Sequence, residues 1–221
     1  MTFIDIVRAR GRHRILGAIA LATALALLAA CSRPAMPPLP PGSTVLVVGD
    51  SITAGYGVDP GEAWPAQLET LTGWHVISAG ISGDRSAGGV ERLPLLLEAN
   101  APALVIVELG GNDMLRHVPN AEIVANLQAM IGAARSAGAK VVLVAVPQPS
   151  AFGVMAGLSA APFFRDLAER ERVPLIAEAL PFVLSDAKLK QDPLHPNAEG
   201  HRVLASRAYD ELVRIGFAVR R

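Results

Sequence analysis

From about residue 44 onward, short runs of apolar residues alternate regularly with longer stretches of mixed polarity. Apolar runs rich in β-branched residues occupy 44–48, 74–79, 104–108 and 141–146, with a shorter one at 174–176. They predict buried strands, because a strand covered on both faces needs no polar alternation. Between and after them, apolar positions recur at helical spacing over 62–71, 86–99, 120–137, 163–172 and 197–215. Strand and helix in strict succession predict an α/β fold, a three-layer α/β/α sandwich around a five-stranded parallel sheet. Gly138 is placed to end the third helix as a C′ glycine, and Pro94 to break or kink the second. The chain has no internal repeat.

The first thirty residues follow another pattern. Arg8, Arg10, Arg12 and Arg14 precede an unbroken run of small and apolar residues over 15–30, the form of an export signal. That run of sixteen residues falls short of the roughly 20 that span a bilayer. Leu28-Ala29-Ala30-Cys31 resembles the lipobox of bacterial lipoproteins, which implies that Cys31 is lipidated and heads the mature chain. Cys31 is the single cysteine, so it cannot close an internal disulfide and is either a free thiol or an attachment point. The alternative is an ordinary signal peptide, which would leave a soluble periplasmic or secreted protein. Residues 32–43 contain five prolines and no apolar periodicity. Extended at about 3.1 Å per residue, such a tether reaches on the order of 35 Å. The expected organisation is a lipoprotein-type signal at 1–30, an anchored tether at 31–43 and one domain at 44–221, facing the periplasm from a bacterial envelope.

Charge narrows the partners. Without residues 1–30 the chain keeps sixteen basic and nineteen acidic side chains, a formal charge of −3, and the whole sequence has three lysines. No basic face is available to neutralise phosphates, so a nucleic-acid partner is excluded. A monomer is expected.

Polar motifs stand at the ends of the predicted strands. Gly49-Asp50-Ser51 follows the first, Gly80-Ile81-Ser82-Gly83-Asp84 the second, and Gly110-Gly111-Asn112-Asp113 the third, while Asp192-Pro193-Leu194-His195 precedes the last helix. Each has a structural reading as a turn or cap. In a doubly wound sheet, however, they converge beyond the carboxyl ends of the strands, where ligands bind. Together they supply a hydroxyl, an imidazole, a carboxylate and amide donors, the parts of an acyl-transfer site. Asp192 and His195, three residues apart, can meet within one turn of local chain.

These four blocks resemble those of the SGNH, or GDSL, hydrolase family, over nearly all of 44–215. The resemblance is to bacterial periplasmic thioesterase/lysophospholipase and arylesterase members. It implies a flavodoxin-like sheet, Ser51 as nucleophile, His195 as general base and Asp192 as the residue that orients His195. It implies an oxyanion hole formed by the backbone N–H groups of Ser51 and Gly83 and the side-chain amide of Asn112. The substrate would be a small ester or thioester, with no cofactor and no metal. Cleavage of O-acetyl groups from envelope glycans is the nearest alternative. A metal-dependent phosphoesterase would need several histidine and carboxylate ligands, whereas His195 is the one histidine in a polar motif. A non-catalytic binding lipoprotein would be expected to have lost one of Ser51, Asp192 and His195. His75, His117 and His201 read as surface or core residues, and Asp50 and Asp113 as supporting ones. Residues 147–162 read equally as a pocket-lining loop or a helix packed on the core.

Overall fold

Val45, Leu46, Val47 and Val48, all without solvent exposure, form the middle of a central strand, β1 (Thr44–Gly49). They belong to a computed structural model of the chain that describes residues 37–149 and 157–220. The expected signal, Cys31 and the first part of the tether lie outside the described residues, as does the middle of 147–162. Four parallel strands complete the sheet: β2 (His75–Gly80), β3 (Leu104–Glu108), β4 (Lys140–Val144) and β5 (Leu175–Ile176), in the order β2-β1-β3-β4-β5. Both neighbours of β1 run parallel to it, with Leu46 opposite Ile77 on one side and Val105 on the other. The strands in the middle of the sheet are apolar along their central positions, as both covered faces require, and β2 at the edge is half-exposed.

Among the described residues the helices are α1 (Ser51–Ala54), α2 (Trp64–Thr72), α3 (Ser86–Asn100), α4 (Gly111–Leu115), α5 (Asn120–Ser136), α6 (Phe163–Glu171), α7 (Ala179–Ser185) and α8 (Ala198–Arg214). Helix α2 packs on α8, which also meets α7, while α3 packs on α5 and α5 on α6. These are two helical layers, one on each face of the sheet. The order of strands reverses direction between β1 and β3, so their carboxyl ends part and leave a crevice.

The predicted five-stranded α/β sandwich is the fold observed, with most element ends within two residues of expectation. Gly138 lies at C′ with φ +81°, and Ala139 N–H donates back to Ala134 O. Pro94, by contrast, does not break α3: the helix runs through it, because Leu93 and Leu97 on either side are locked into the core while Pro94 faces solvent. The helices α1, α4 and α7 are too short for a periodic signal. The packed chain starts before Thr44: Leu39 N–H donates to Phe217 O (2.8 Å), and the Trp74 indole donates to Leu39 O (3.3 Å). Among the described residues no helix is long and apolar enough to cross a membrane.

Candidate active site

The chain leaves β1 through Gly49 and turns at once into α1. Asp50 caps that helix, its Oδ1 accepting Ile52 N–H at 3.0 Å. Ser51 is therefore the first helical residue, whose N–H has no carbonyl four residues back to bond. Close approach of backbone makes this turn possible. A Cβ on Gly80 would lie 2.1 Å from Ala54 N, so α1 can rest across the end of β2 only because residue 80 is glycine. Arg92 of α3 fastens the strand ends from the other side, donating to Gly49 O (3.0 Å), Ala79 O (2.6 Å) and Asp84 Oδ2 (2.9 Å).

Ser51 Oγ lies 3.0 Å from His195 Nε2. The other ring nitrogen, Nδ1, is 2.8 Å from Asp192 Oδ2 and 3.0 Å from Oδ1. A carboxylate can only accept, so the ring proton sits on Nδ1 and Nε2 is left to accept from the serine hydroxyl. Asp192 Oδ1 also takes the backbone N–H groups of Leu194 (2.8 Å) and His195 (2.9 Å), which folds the segment into a tight local turn. Gln191 ties this turn to the serine side through Nε2–H to Tyr56 O (2.6 Å), and Asn197 caps α8 behind it. The Tyr56 ring leans on the imidazole, centroids 4.6 Å apart.

From the third strand end, Asn112 donates Nδ2–H to Asp50 Oδ2 (3.1 Å). Its neighbour Asp113 is buried and accepts both Ser86 N–H (2.8 Å) and Ser86 Oγ–H (2.7 Å), joining α4 to the start of α3. Gly83, at φ +78°, forms a turn that L side chains resist. Ser51, Gly83, Asn112 and His195 all line one cavity of about 720 Å³. Its remaining walls are largely apolar, with Leu115, Val146, Leu158, Leu184 and Leu194 among the described residues that line it. Pro147 pairs with Ala160 at the base of the 147–162 segment, so the two ends of that segment enter as an antiparallel bridge.

The structure thus brings together every residue expected at the site from Gly49 to His195: Ser51, Asp192, His195, Gly83 and Asn112. A hydroxyl bonded to an imidazole bonded to a carboxylate can generate an alkoxide-like nucleophile, and convergent N–H donors can hold a developing oxyanion.

Residues 47–203 match the GDSL-like Lipase/Acylhydrolase family. The chain belongs to this family. Esterase TesA of Pseudomonas aeruginosa is 39% identical over 163 residues, 69% of this chain and 79% of that protein. Thioesterase 1/protease 1/lysophospholipase L1 of Escherichia coli K12 is 34% identical over 171 residues, 73% of this chain and 79% of that one. The crystal structure of TesA superposes with a TM-score of 0.70 at 35% identity, over 78% of this chain and 99% of the other. Membership of an ester-cleaving hydrolase family accords with the fold and with the four blocks.

Two carboxyls of this GDSL acylhydrolase were not singled out for chemistry by sequence. Glu108, at the end of β3, is fully buried, and its Oε2 accepts Thr53 Oγ1–H at 2.8 Å. Burial, with the charge of Asp50 nearby, pushes its carboxyl well above the usual range. Asp50 is itself raised to about 6 by burial, partly offset by its bonds from Ile52 N–H and Asn112. Asp192 goes the other way. Burial alone would raise it, but hydrogen bonds from Leu194 N–H and from the His195 ring and N–H, together with the charge of His195, hold it below the usual range. The signal for Glu108 was present in the sequence as an acid inside an otherwise apolar run. His201 is buried in α8, where Nδ1 accepts Trp64 N–H, and burial lowers it to about 4. It is a neutral core histidine. His75 and His117 are exposed.

Proposed function

We propose that the protein is a serine acylhydrolase that cleaves carboxylic esters or thioesters through an acyl-serine intermediate. The observation that carries this reading is the continuous bonded chain from Ser51 Oγ through the His195 ring to Asp192, opening into an apolar cavity. Ser51 Oγ attacks the substrate carbonyl carbon while His195 Nε2 takes the hydroxyl proton. Asp192 keeps the ring in the tautomer that can accept it and stabilises the imidazolium. The carbonyl oxygen, now negative, is held by Ser51 N–H, Gly83 N–H and an Asn112 amide hydrogen. The tetrahedral adduct collapses as His195 returns the proton to the alcohol or thiol leaving group. A water, deprotonated by the same nitrogen, then releases the acid and restores Ser51.

The cavity lies within the range of pockets that enclose whole small ligands. Its apolar walls favour an acyl group larger than acetyl over the O-acetyl esterase reading. Cys31, with its Pro-rich connection, is read as the lipid attachment that holds the domain on the periplasmic side of a bacterial envelope.

The test is hydrolysis of an ester series from acetyl to long acyl, with acyl thioesters and acetylated glycans alongside and Ser51→Ala as blank. Ser51→Ala and His195→Ala should lower kcat by several orders of magnitude with folding intact, and an organophosphonate should label Ser51. Undiminished turnover by Ser51→Ala would overturn the mechanism. A rate confined to acetyl groups would move the assignment to deacetylation.

A further inference from the structure

Arg116 closes α4 four residues after Asn112, and its side chain curls back over that turn. Its Nη1 donates to both Asn112 O and Asn112 Oδ1, each at 3.2 Å. The guanidinium also stands beside Gly83, with Nη2 3.8 Å from where a Cβ on that glycine would be. It is exposed, and no carboxylate among the described residues forms an ion pair with it. As a surface bond it adds little to stability. Its partner gives it another significance.

A carboxamide can be turned over about its last torsion at small steric cost, exchanging oxygen and NH₂. For an oxyanion donor that exchange is fatal, since it would turn a lone pair on the oxyanion. Asn112 is gripped at both ends by groups that cannot tolerate it. Arg116 only donates and holds Oδ1, whereas the Asp50 carboxylate only accepts and holds one hydrogen of Nδ2. The flipped amide would set NH₂ against guanidinium and oxygen against carboxylate. Asn112 has two amide hydrogens, and Asp50 uses one.

We propose that Arg116 is a positioning residue of the oxyanion hole: together with Asp50 it fixes the Asn112 carboxamide so that the second amide hydrogen is committed to the cavity. This rests on the reading of Asn112 as an oxyanion donor. Preorganisation of this kind lowers the barrier without tightening the ground-state complex, because the donor need not reorient as charge develops.

A double-mutant cycle in kcat separates this role from other ones. Arg116→Ala should lower kcat about tenfold, the effect of losing one bond to a charged group, with KM and thermal unfolding little changed. Arg116→Lys, which can still donate to Oδ1, should recover most of the loss. Asn112→Ala alone should cost roughly 10²–10³. In the Asn112→Ala background, Arg116→Ala should cost nothing further, since there is no amide left to orient. If Arg116→Ala lowers kcat equally in both backgrounds, or leaves kcat unchanged in the wild type, the clamp is wrong while the oxyanion role of Asn112 stands. If Asn112→Ala turns over normally, the oxyanion reading falls and the clamp with it.

Discussion

At the scale of single residues, the acids of this site behave in opposite ways because burial dominates at Asp50 and hydrogen bonds dominate at Asp192. Asp192 collects two backbone N–H groups and an imidazole and stays ionised, while Asp50 is sealed behind Ser51 and holds its proton up to about 6, against an ordinary value of 3.8. Between pH about 4 and about 6 the folded protein therefore carries more protons at Asp50 than the unfolded chain, so this residue's contribution to stability falls as pH rises through that window. Asn in its place cannot titrate. The melting temperature of Asp50→Asn relative to wild type should accordingly climb from pH about 4 to about 6 and then level off; a difference that stays flat would refute the buried-acid account. Asn112 supplies a second prediction. Asn112→Asp should reduce kcat at least as severely as Asn112→Ala, since it sets a carboxylate where the oxyanion forms. A merely structural Asn112 would instead lower thermal stability by about 1 kcal/mol and leave kcat alone.

Elements matter here through how closely they approach one another. The short helix carrying Ser51 lies against the end of β2 because Gly80 has no side chain, and the contact that a methyl would make, 2.1 Å from Ala54 N, leaves no room for adjustment of a flexible group. Gly80→Ala should lower stability by about 1–3 kcal/mol and reduce kcat as well, since α1 must shift. Gly132 offers the matching control. It lies within α5, and a methyl added there would meet nothing within 4 Å, so Gly132→Ala should raise stability by about 0.5–1 kcal/mol through helix propensity and leave turnover unchanged. Thermal unfolding and kcat on both variants check the pair; equal responses would show that glycine content rather than approach governs these positions. Pro94 makes the complementary point. The lost backbone bond in α3 is outweighed by the burial of Leu93 and Leu97.

For the whole molecule, the strand order and the parallel direction of all five strands place the polar blocks at one edge of the sheet, so topology assembles a site distributed over more than 140 residues. At the opposite end of the sequence, Cys31→Ala should abolish lipid labelling of the expressed full chain and release the protein from membranes. The acyl chains would otherwise contribute about 0.8 kcal/mol per buried CH₂. Metabolic labelling with a fatty-acid analogue measures it, and label retained in Cys31→Ala would remove Cys31 as the anchor.

Legibility followed the range of the interaction. The strands at 44–48 and 104–108 could be read because burial on both faces writes a continuous apolar run, and Asp192 with His195 because three residues of local chain suffice to join them. The glycines at 49, 80 and 83 and the carboxamide at 112 stood in recognisable blocks. By contrast, Arg92 reaching Gly49 O across 43 residues, Asp113 fastening Ser86 across 27, and Glu108 meeting Thr53 across 55 have no local signature. An exposed arginine such as Arg116 looks like any solvated charge until its four-residue partner is known to be an amide that lines the same cavity as Ser51. The sequence by itself determined the strand–helix alternation, hence the sheet, and the chemical groups delivered to its edge. Only the tertiary structure decided which of those groups are buried, which way the Asn112 amide points, and which acids keep their protons, because desolvation and hydrogen-bond direction depend on what distant segments bring to within about 3 Å.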